Sequence, residues 1–394
     1  SAAKSVDEAR AMLGLDEESN DHWHPSFSYT VQSVGMCCDF VKETFQGDRY
    51  GVVNAKRWNE ANKWLLSDDS PTSVVDDNFG FAPDVWQPPT NLLAGNELAR
   101  VTLDSANKSA YEFAKMHGRK PSLAVITVGE LPRYAHGPRR LEIYSNQSNS
   151  WFNKTGVGKA NGFDVKEISL PESTTTEELL DRIYRFKDKD GIQLMWPLPA
   201  HIDSAQVFSA ISVSQDVDGA HYIGQLELNP EHSPMPPVTP AAVIDLMENY
   251  DIDPQNKRIL VVGRSRIVGS PLAHMLRDRG AIVTVAHSEV SPEMLESLVR
   301  SADIVVSCAG APGLLKTDWV KEGAEVINVG VTYNEETDAN VSDFDGELEK
   351  VAKRFSPVPG GIGPLSVAAL FRNVATAAWA RSAENGEVDS TWTR

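Results

Sequence analysis

The sequence predicts an α/β protein of two domains, the second a Rossmann-like, doubly wound nucleotide-binding unit, behind a loop-rich N-terminal extension. Three observations predict it. From Asn91 onward short apolar runs alternate with amphipathic stretches, the pattern of parallel strands with helices packed on their faces. One run, Arg258-Ile-Leu-Val-Val-Gly263, stops at glycine and resumes as a helix opened by Gly269-Ser270-Pro271. A chain of 394 residues also exceeds what one hydrophobic core usually serves.

Residues 1–90 differ in texture from the rest. Trp23, Trp58, Trp64 and Trp86 stand among polar and acidic residues, and helices are expected at 6–15 and 55–66. Ser67-Asp-Asp-Ser-Pro71 and Pro88-Pro89 break the remainder, so the segment reads as a wrapping extension or as a docking surface for another protein. The pattern then tightens: a helix at 94–117 ended by Gly118, a strand at 122–129, and a polar insert at 131–150. A helix at 151–161 with Gly162 as its stop, a strand at 164–170, a helix at 175–186 and a strand at 191–196 follow. Asp216-Val-Asp-Gly219 comes after a short helix, and Pro234-Met-Pro-Pro-Val-Thr-Pro240 is a stiff connection into a helix at 241–250.

The second half repeats the alternation, with strands at 258–263, 281–287, 302–310 and 325–331, a helix from Gly269 and an amphipathic stretch at 291–300. Proline at the start of the helix after Gly263 loses no hydrogen bond, and the oxygen of Ser270 can cap its free amides. Those amides and the positive helix end suit a phosphate. The spacing from Gly263 to Gly269 is not the common GxGxxG, so on this stretch alone an ordinary strand-to-helix turn stays open beside the dinucleotide reading. Pro359-Gly-Gly-Ile-Gly-Pro364 introduces a closing helix at 365–380 whose alanine-rich, apolar face demands burial, and the tail at 382–394 reads as loose.

Composition narrows the function classes. A formal net charge of -18 and a pI near 4.9 argue against sequence-independent binding to nucleic acid or to an anionic membrane. No apolar run approaches the roughly 20 residues that cross a bilayer, so membrane insertion is not expected. Three cysteines make no disulfide framework: Cys37 and Cys38 are adjacent, and Cys308 falls in the third strand of the nucleotide half as core packing. A reducing intracellular compartment follows as the expectation. The opening Ser-Ala-Ala fits either a removed targeting segment or a trimmed chain, and no metal site is expected.

Taken together, Val261-Val-Gly-Arg-Ser-Arg-Ile-Val-Gly-Ser-Pro271, Asp216-Val-Asp-Gly219, Trp196-Pro-Leu-Pro199, Pro237-Val-Thr-Pro240 and Val358-Pro-Gly-Gly-Ile-Gly-Pro364 resemble the methylenetetrahydrofolate dehydrogenase/cyclohydrolase family. The resemblance implies a folate-type α/β domain at 91–238, completed by the closing helix at 359–385, and a Rossmann NAD(P)-binding domain at 239–358, behind the extension at 1–90. It implies Lys154 as the catalytic lysine facing the one-carbon unit and Asp218 as the catalytic-site acid that binds the pterin's amino groups. Gly360, Gly361 and Pro364 would let backbone approach folate and nicotinamide, and Gly263, Arg264, Ser265, Gly269 and Ser288 would hold the cofactor. Without that context, Lys154 reads as a solvated charge, Asp216 and Asp218 as turn formers, and the Gly-Gly pair as a tight turn.

On the cofactor, Arg264 and Ser288 match positions that grip the extra phosphate of NADP, while Glu289 stands where many relatives carry a base. NADP is expected over NAD, with Glu289 pointing away from the arginine. Two departures bear on activity. Members with both activities carry a tyrosine four residues before the lysine and a glutamine at the place of Met195; here Ser150 and Met195 stand there. A thioether cannot tune a lysine as an amide can, so dehydrogenase activity is expected to survive and cyclohydrolase to be lost. The alternative is a catalytically weakened member that serves as a nucleotide-binding structural or assembly subunit, docking through residues 1–90. The resemblance implies a homodimer through the Rossmann domain. The expected location is the mitochondrial matrix or another organelle, with the cytoplasm as the alternative.

Overall fold

The structure is a computed structural model that describes residues 91–130, 154–221, 235–334, 336 and 339–384. The helices expected at 6–15 and 55–66, Cys37 and Cys38, the insert at 131–150 with Ser150, Trp151, and the end of the tail lie outside the described residues.

Helix α1 (Gly95–His117) ends at Gly118, which takes φ 67° and donates its N–H to Ala114 O. Strand β1 (Ser122–Val128) is followed by α2 (Lys154–Ala160), β2 (Asp164–Leu170), α3 (Thr176–Tyr184) and β3 (Gly191–Leu194). The strands form a parallel sheet in the order β2-β1-β3. Its central strand shows why it reads as an unbroken apolar run: Leu123 and Val125 enter one core cluster, Ala124, Ile126 and Val128 the other. Thr175 and Glu178 close a reciprocal capping box at the start of α3.

After α4 (Ser204–Ala210) comes α5 (Val238–Asn249). It begins at Val238, not at 241 as the proline run suggested, because Pro240 lies in the first helical turn, where its missing N–H has no partner to lose. The stiff connection is shorter by that turn.

The second parallel sheet comprises β4 (Arg258–Val262), β5 (Ile282–Ala286), β6 (Ile304–Ser307), β7 (Glu325–Asn328) and, after the hairpin β8 (Val331–Asn334) and β9 (Ala339–Ser342), the short β10 (Arg354–Phe355). Helices α6 (Gly269–Asp278) and α7 (Pro292–Ser301) link its first three strands. The order β5-β4-β6-β7-β10 reverses direction between β4 and β6, and a ligand of such a sheet binds beyond the strand ends at that switch point. The strand expected at 302–310 stops at Ser307, since the amides of Ala309, Gly310 and Ala311 turn onto the buried carboxylate of Asp343, at 3.1, 3.3 and 2.7 Å. Cys308 therefore lies just past the strand, half-buried against the core.

Helix α8 (Ile362–Glu384) joins the two layers. Its Leu365, Ala368, Phe371 and Val374 share one cluster with Leu103 of α1, Ile244 of α5 and Leu272 of α6. A Cβ on Gly158 of α2 would stand 2.7 Å from the Phe371 ring, so that glycine lets α2 lie against α8 rather than breaking it.

Candidate active site

Asp218 is held by its neighbours on all sides. The backbone of Gly219 has φ 72°, and a Cβ there would collide with Pro236 and Pro237. Asn373, buried on α8, donates its Nδ2 to Val217 O at 2.9 Å and to Pro236 O at 3.1 Å, clamping the chain before and after the aspartate. Asp216 is a turn former, as the plain reading had it: its carboxylate accepts from the amides of Ala220 (3.0 Å) and His221 (2.6 Å). Asp218 is not, for its Oδ1 accepts from Nε2 of Gln193 at 3.1 Å. Burial pushes its carboxyl up from 3.8 to about 6; Lys154 pulls the other way, Asp216 adds to the rise and the Gln193 bond opposes it.

Lys154, the first residue of α2, donates from Nζ to Sδ of Met195 at 2.9 Å. Desolvation holds its amine below the ordinary lysine range, against the pull of Asp218 and, more weakly, Glu167. This is not a solvated surface charge. Lys154, Asp218, Met195 and Gln193 thus form one cluster at the end of β3, which closes with a cis Trp196–Pro197 bond.

A second group forms at the switch point of the larger sheet. Gly263 has φ 122°, and a Cβ on it would stand 2.7 Å from Cys308 O; one on Gly269 would collide with Gly263 O. Both positions require glycine for close backbone approach. The cap expected from Ser270 belongs to Ser265: its Oγ accepts from the amides of Val268 (3.2 Å) and Gly269 (3.3 Å), whereas Ser270 Oγ donates to Arg264 O. Pro271 is accordingly the third helical residue, where the backbone hydrogen is still unneeded. Ser288 and Glu289 form the exposed turn after β5, and Glu289 does not point away from Arg264. Its Oε1 accepts from the guanidinium at 2.8 Å, opposite charges on adjacent loops closing the gap between them.

Gly360, Gly361 and Pro364 lie at the start of α8, against the start of α1. Gly360 has φ 100° and its carbonyl accepts from Gly95 N at 2.9 Å, and a Cβ on Gly361 would stand 2.6 Å from Pro357 O. The tight packing of Gly360 and Gly361 is thus accounted for within the protein. Sequence reasoning missed Gln193 and Asn373. Both carry a signal that could have found them, a polar amide inside an otherwise apolar element that must be buried.

Residues 93–218 match the family described as tetrahydrofolate dehydrogenase/cyclohydrolase, catalytic domain, and residues 237–382 match its NAD(P)-binding domain. The bifunctional protein FolD of Lactococcus lactis subsp. lactis is 36% identical over 299 residues, covering 75% of this chain and 99% of the relative. The chicken bifunctional methylenetetrahydrofolate dehydrogenase/cyclohydrolase, named as mitochondrial, is 34% identical, over 73% of this chain and 86% of its own length. Among solved structures, the Trypanosoma brucei N5,N10-methylenetetrahydrofolate dehydrogenase-cyclohydrolase, complexed with NADP and an inhibitor, superposes with a TM-score of 0.65 at 30% identity, covering 75% of this chain and 99% of that one. With both family segments present in order, and relatives matched over nearly their whole length, the chain belongs to the tetrahydrofolate dehydrogenase/cyclohydrolase family.

Proposed function

We propose that this chain oxidises methylenetetrahydrofolate to methenyltetrahydrofolate by NADP-dependent hydride transfer, and that it has lost cyclohydrolase activity. The observation that carries the reading is the contact of Lys154 with a thioether. Hydrolysis of the methenyl bridge needs a water deprotonated and a tetrahedral adduct resolved, with a proton taken up and given back. Sulfur in a thioether has no proton to exchange and accepts only weakly, so Met195 gives the amine it faces no means to pass that proton along.

Oxidation asks less of the protein. Removing a hydride from the methylene carbon leaves a cationic bridge, and an amine held below its usual range repels that cation less than a permanent ammonium does. Asp218 binds the pterin's N–H groups through its carboxylate, and its anchoring by Asn373 and Gly219 keeps that geometry rigid. Gly360, Gly361 and Pro364 would allow backbone to come near folate and nicotinamide.

The switch point supports a dinucleotide there through its tight turn and the positive end of α6, because Gly263 and Gly269 let the backbone close beside Cys308 O and Gly263 O; the amides of Val268, Gly269 and Ser270 are already taken by Ser265. Gly263, Arg264, Ser265, Gly269 and Ser288 would hold NADP, which when bound supplies the hydride acceptor. Arg264 would take the extra phosphate by exchanging Glu289 for it. That exchange costs little, since both side chains are exposed, at 52% and 73%. NAD is the alternative cofactor.

The division into an extension at 1–90, a folate domain at 91–238 completed by 359–385 and a nucleotide domain at 239–358 is part of the same proposal. So is a homodimer through the nucleotide domain, supported by the edge strand β5, whose Ile282 and Val285 are 60% and 37% exposed. Residence in an organelle rests on the chicken relative's printed name. The test is to supply the purified chain with methylenetetrahydrofolate and either NADP or NAD and follow reduced nicotinamide. Turnover with preference for NADP is expected; no turnover with either contradicts the proposal.

A further inference from the structure

Gln193 in this site keeps one polar atom satisfied and one not. It is only 6% exposed, and its Nε2 is spent on Asp218 Oδ1. Its Oε1 is buried with no hydrogen-bond partner among the described residues. A buried amide oxygen left in that state is costly, so a site that keeps one is a site built to receive a donor. Alternation along β3 explains where it points. Ile192 and Leu194 turn into the core cluster beneath the sheet, leaving Gln193 and Met195 on the opposite side with Lys154 and Asp218.

Resting on the proposed folate site, we propose that Gln193 is a substrate-binding and positioning residue: its amide nitrogen orients the Asp218 carboxylate, and its amide oxygen accepts a hydrogen bond from the pterin's exocyclic amino group. The hydrogen-bond count favours it. A 2-amino-4-oxo pterin offers three N–H groups on one edge, one on the ring and two on the amino nitrogen. A carboxylate meeting that edge side-on takes the ring N–H and one amino N–H. The remaining amino N–H emerges beside the carboxylate oxygen nearer the amino group, and Gln193 Oε1 belongs to the amide already bonded to Asp218 Oδ1. One carboxylate and one amide together satisfy all three donors, whereas the carboxylate alone leaves one buried and unpaired.

The experiment uses the full chain and its Gln193→Leu and Gln193→Glu variants, with methylenetetrahydrofolate turnover, tetrahydrofolate binding, and binding of a tetrahydrofolate analogue lacking the exocyclic amino group. Gln193→Leu is expected to raise the folate KM on the order of tenfold, the usual scale for one unpaired buried donor. The NADP KM and the thermal midpoint should hold. Losing its donor, Asp218 should also titrate higher, moving the acid limb of kcat/KM up in pH; the other charges facing it, Lys154 and Asp216, and Glu167 behind Lys154, are untouched. Gln193→Glu keeps an acceptor but brings a second carboxylate, so it should move the same limb further while raising the folate KM less. The analogue should bind the parent more weakly than tetrahydrofolate binds Gln193→Leu, because it also loses the amino N–H that Asp218 takes, and removing both groups should cost no more than removing the amino group alone. An unchanged folate KM and acid limb in Gln193→Leu, or a full additional loss for the analogue in that variant, overturns the proposal while parent turnover leaves the dehydrogenase reading standing. A parent chain that binds no tetrahydrofolate overturns both.

Discussion

Lys154 Nζ lies 2.9 Å from Sδ of Met195, so the amine at the centre of the proposed folate site faces a sulfur where the sequence resemblance implies an amide in members with both activities. Replacing Met195 with Gln, together with Ser150→Tyr, is expected to raise methenyltetrahydrofolate hydrolysis at least tenfold over the parent, a modest share of the roughly 10²–10⁴-fold that positioned acid–base groups supply. Decay of the methenyl chromophore above the uncatalysed rate reads it directly. Equal decay in parent and variant contradicts the assignment.

Lys154 should also trade stability for function. Its folded-state titration lies below the unfolded value of 10.5, so folding disfavours the charged form; stability is reduced at neutral pH and recovers only as pH rises through the folded titration. Lys154→Met removes a desolvated amine and is expected to raise the thermal midpoint at pH 7 by roughly 2–4 °C, the shift that about 1 kcal/mol gives in a domain of this size, while lowering dehydrogenase kcat/KM. A lower midpoint would mean that its attraction to Asp218 outweighs the desolvation.

Asp218 titrates near 6 in the folded chain against 3.8 in the reference, so it adds stability only in acid, and that contribution is lost as pH rises through about 6. Its carboxylate, the form proposed to grip folate, is present above that point. Dehydrogenase kcat/KM should therefore fall on the acid side with a limb near pH 6, and Asp218→Asn should remove the limb, cut kcat/KM on the order of a hundredfold as lost charge-assisted bonds do, and stabilise the chain at neutral pH. A limb that persists in Asp218→Asn assigns the titration elsewhere.

Arg264 and Glu289 hold each other on the rim of the proposed nucleotide site. Because an exposed pair of this kind contributes no more than about 1 kcal/mol, Glu289→Gln is expected to raise kcat/KM for NADP by up to roughly fivefold and leave NAD within a factor of about two. A parallel gain for NAD would show that Glu289 acts on something other than the extra phosphate.

Much of this was legible in the chain. Gly263 and Gly269 mark the nucleotide turn because only a residue without Cβ fits beside Cys308 O and Gly263 O, and that demand shows locally. The parallel strands announce themselves as runs because both faces of β1 and β4 are buried. The opposed charges of Arg264 and Glu289 are also visible, though not that they touch. What escaped depends on partners far along the chain. Asn373 reaches back to Val217 and Pro236, and Asp343 gathers amides at 309–311 from beyond a hairpin, so no local pattern names what either one bonds. Gln193 hid in an apolar strand whose alternation fixes its direction, while the identity of its neighbour depends on how the loop at 216–219 folds over.

The central claim is that oxidation survives while hydrolysis does not, and one time course tests it: the parent chain with methylenetetrahydrofolate and NADP, at a pH where methenyltetrahydrofolate decays slowly by itself, following reduced nicotinamide and the methenyl product together. The account predicts that the two rise in equal amounts, the methenyl form accumulating as it is made. Reduced nicotinamide rising while methenyl stays low would contradict it, because the site around Lys154 and Met195 would then be hydrolysing its own product.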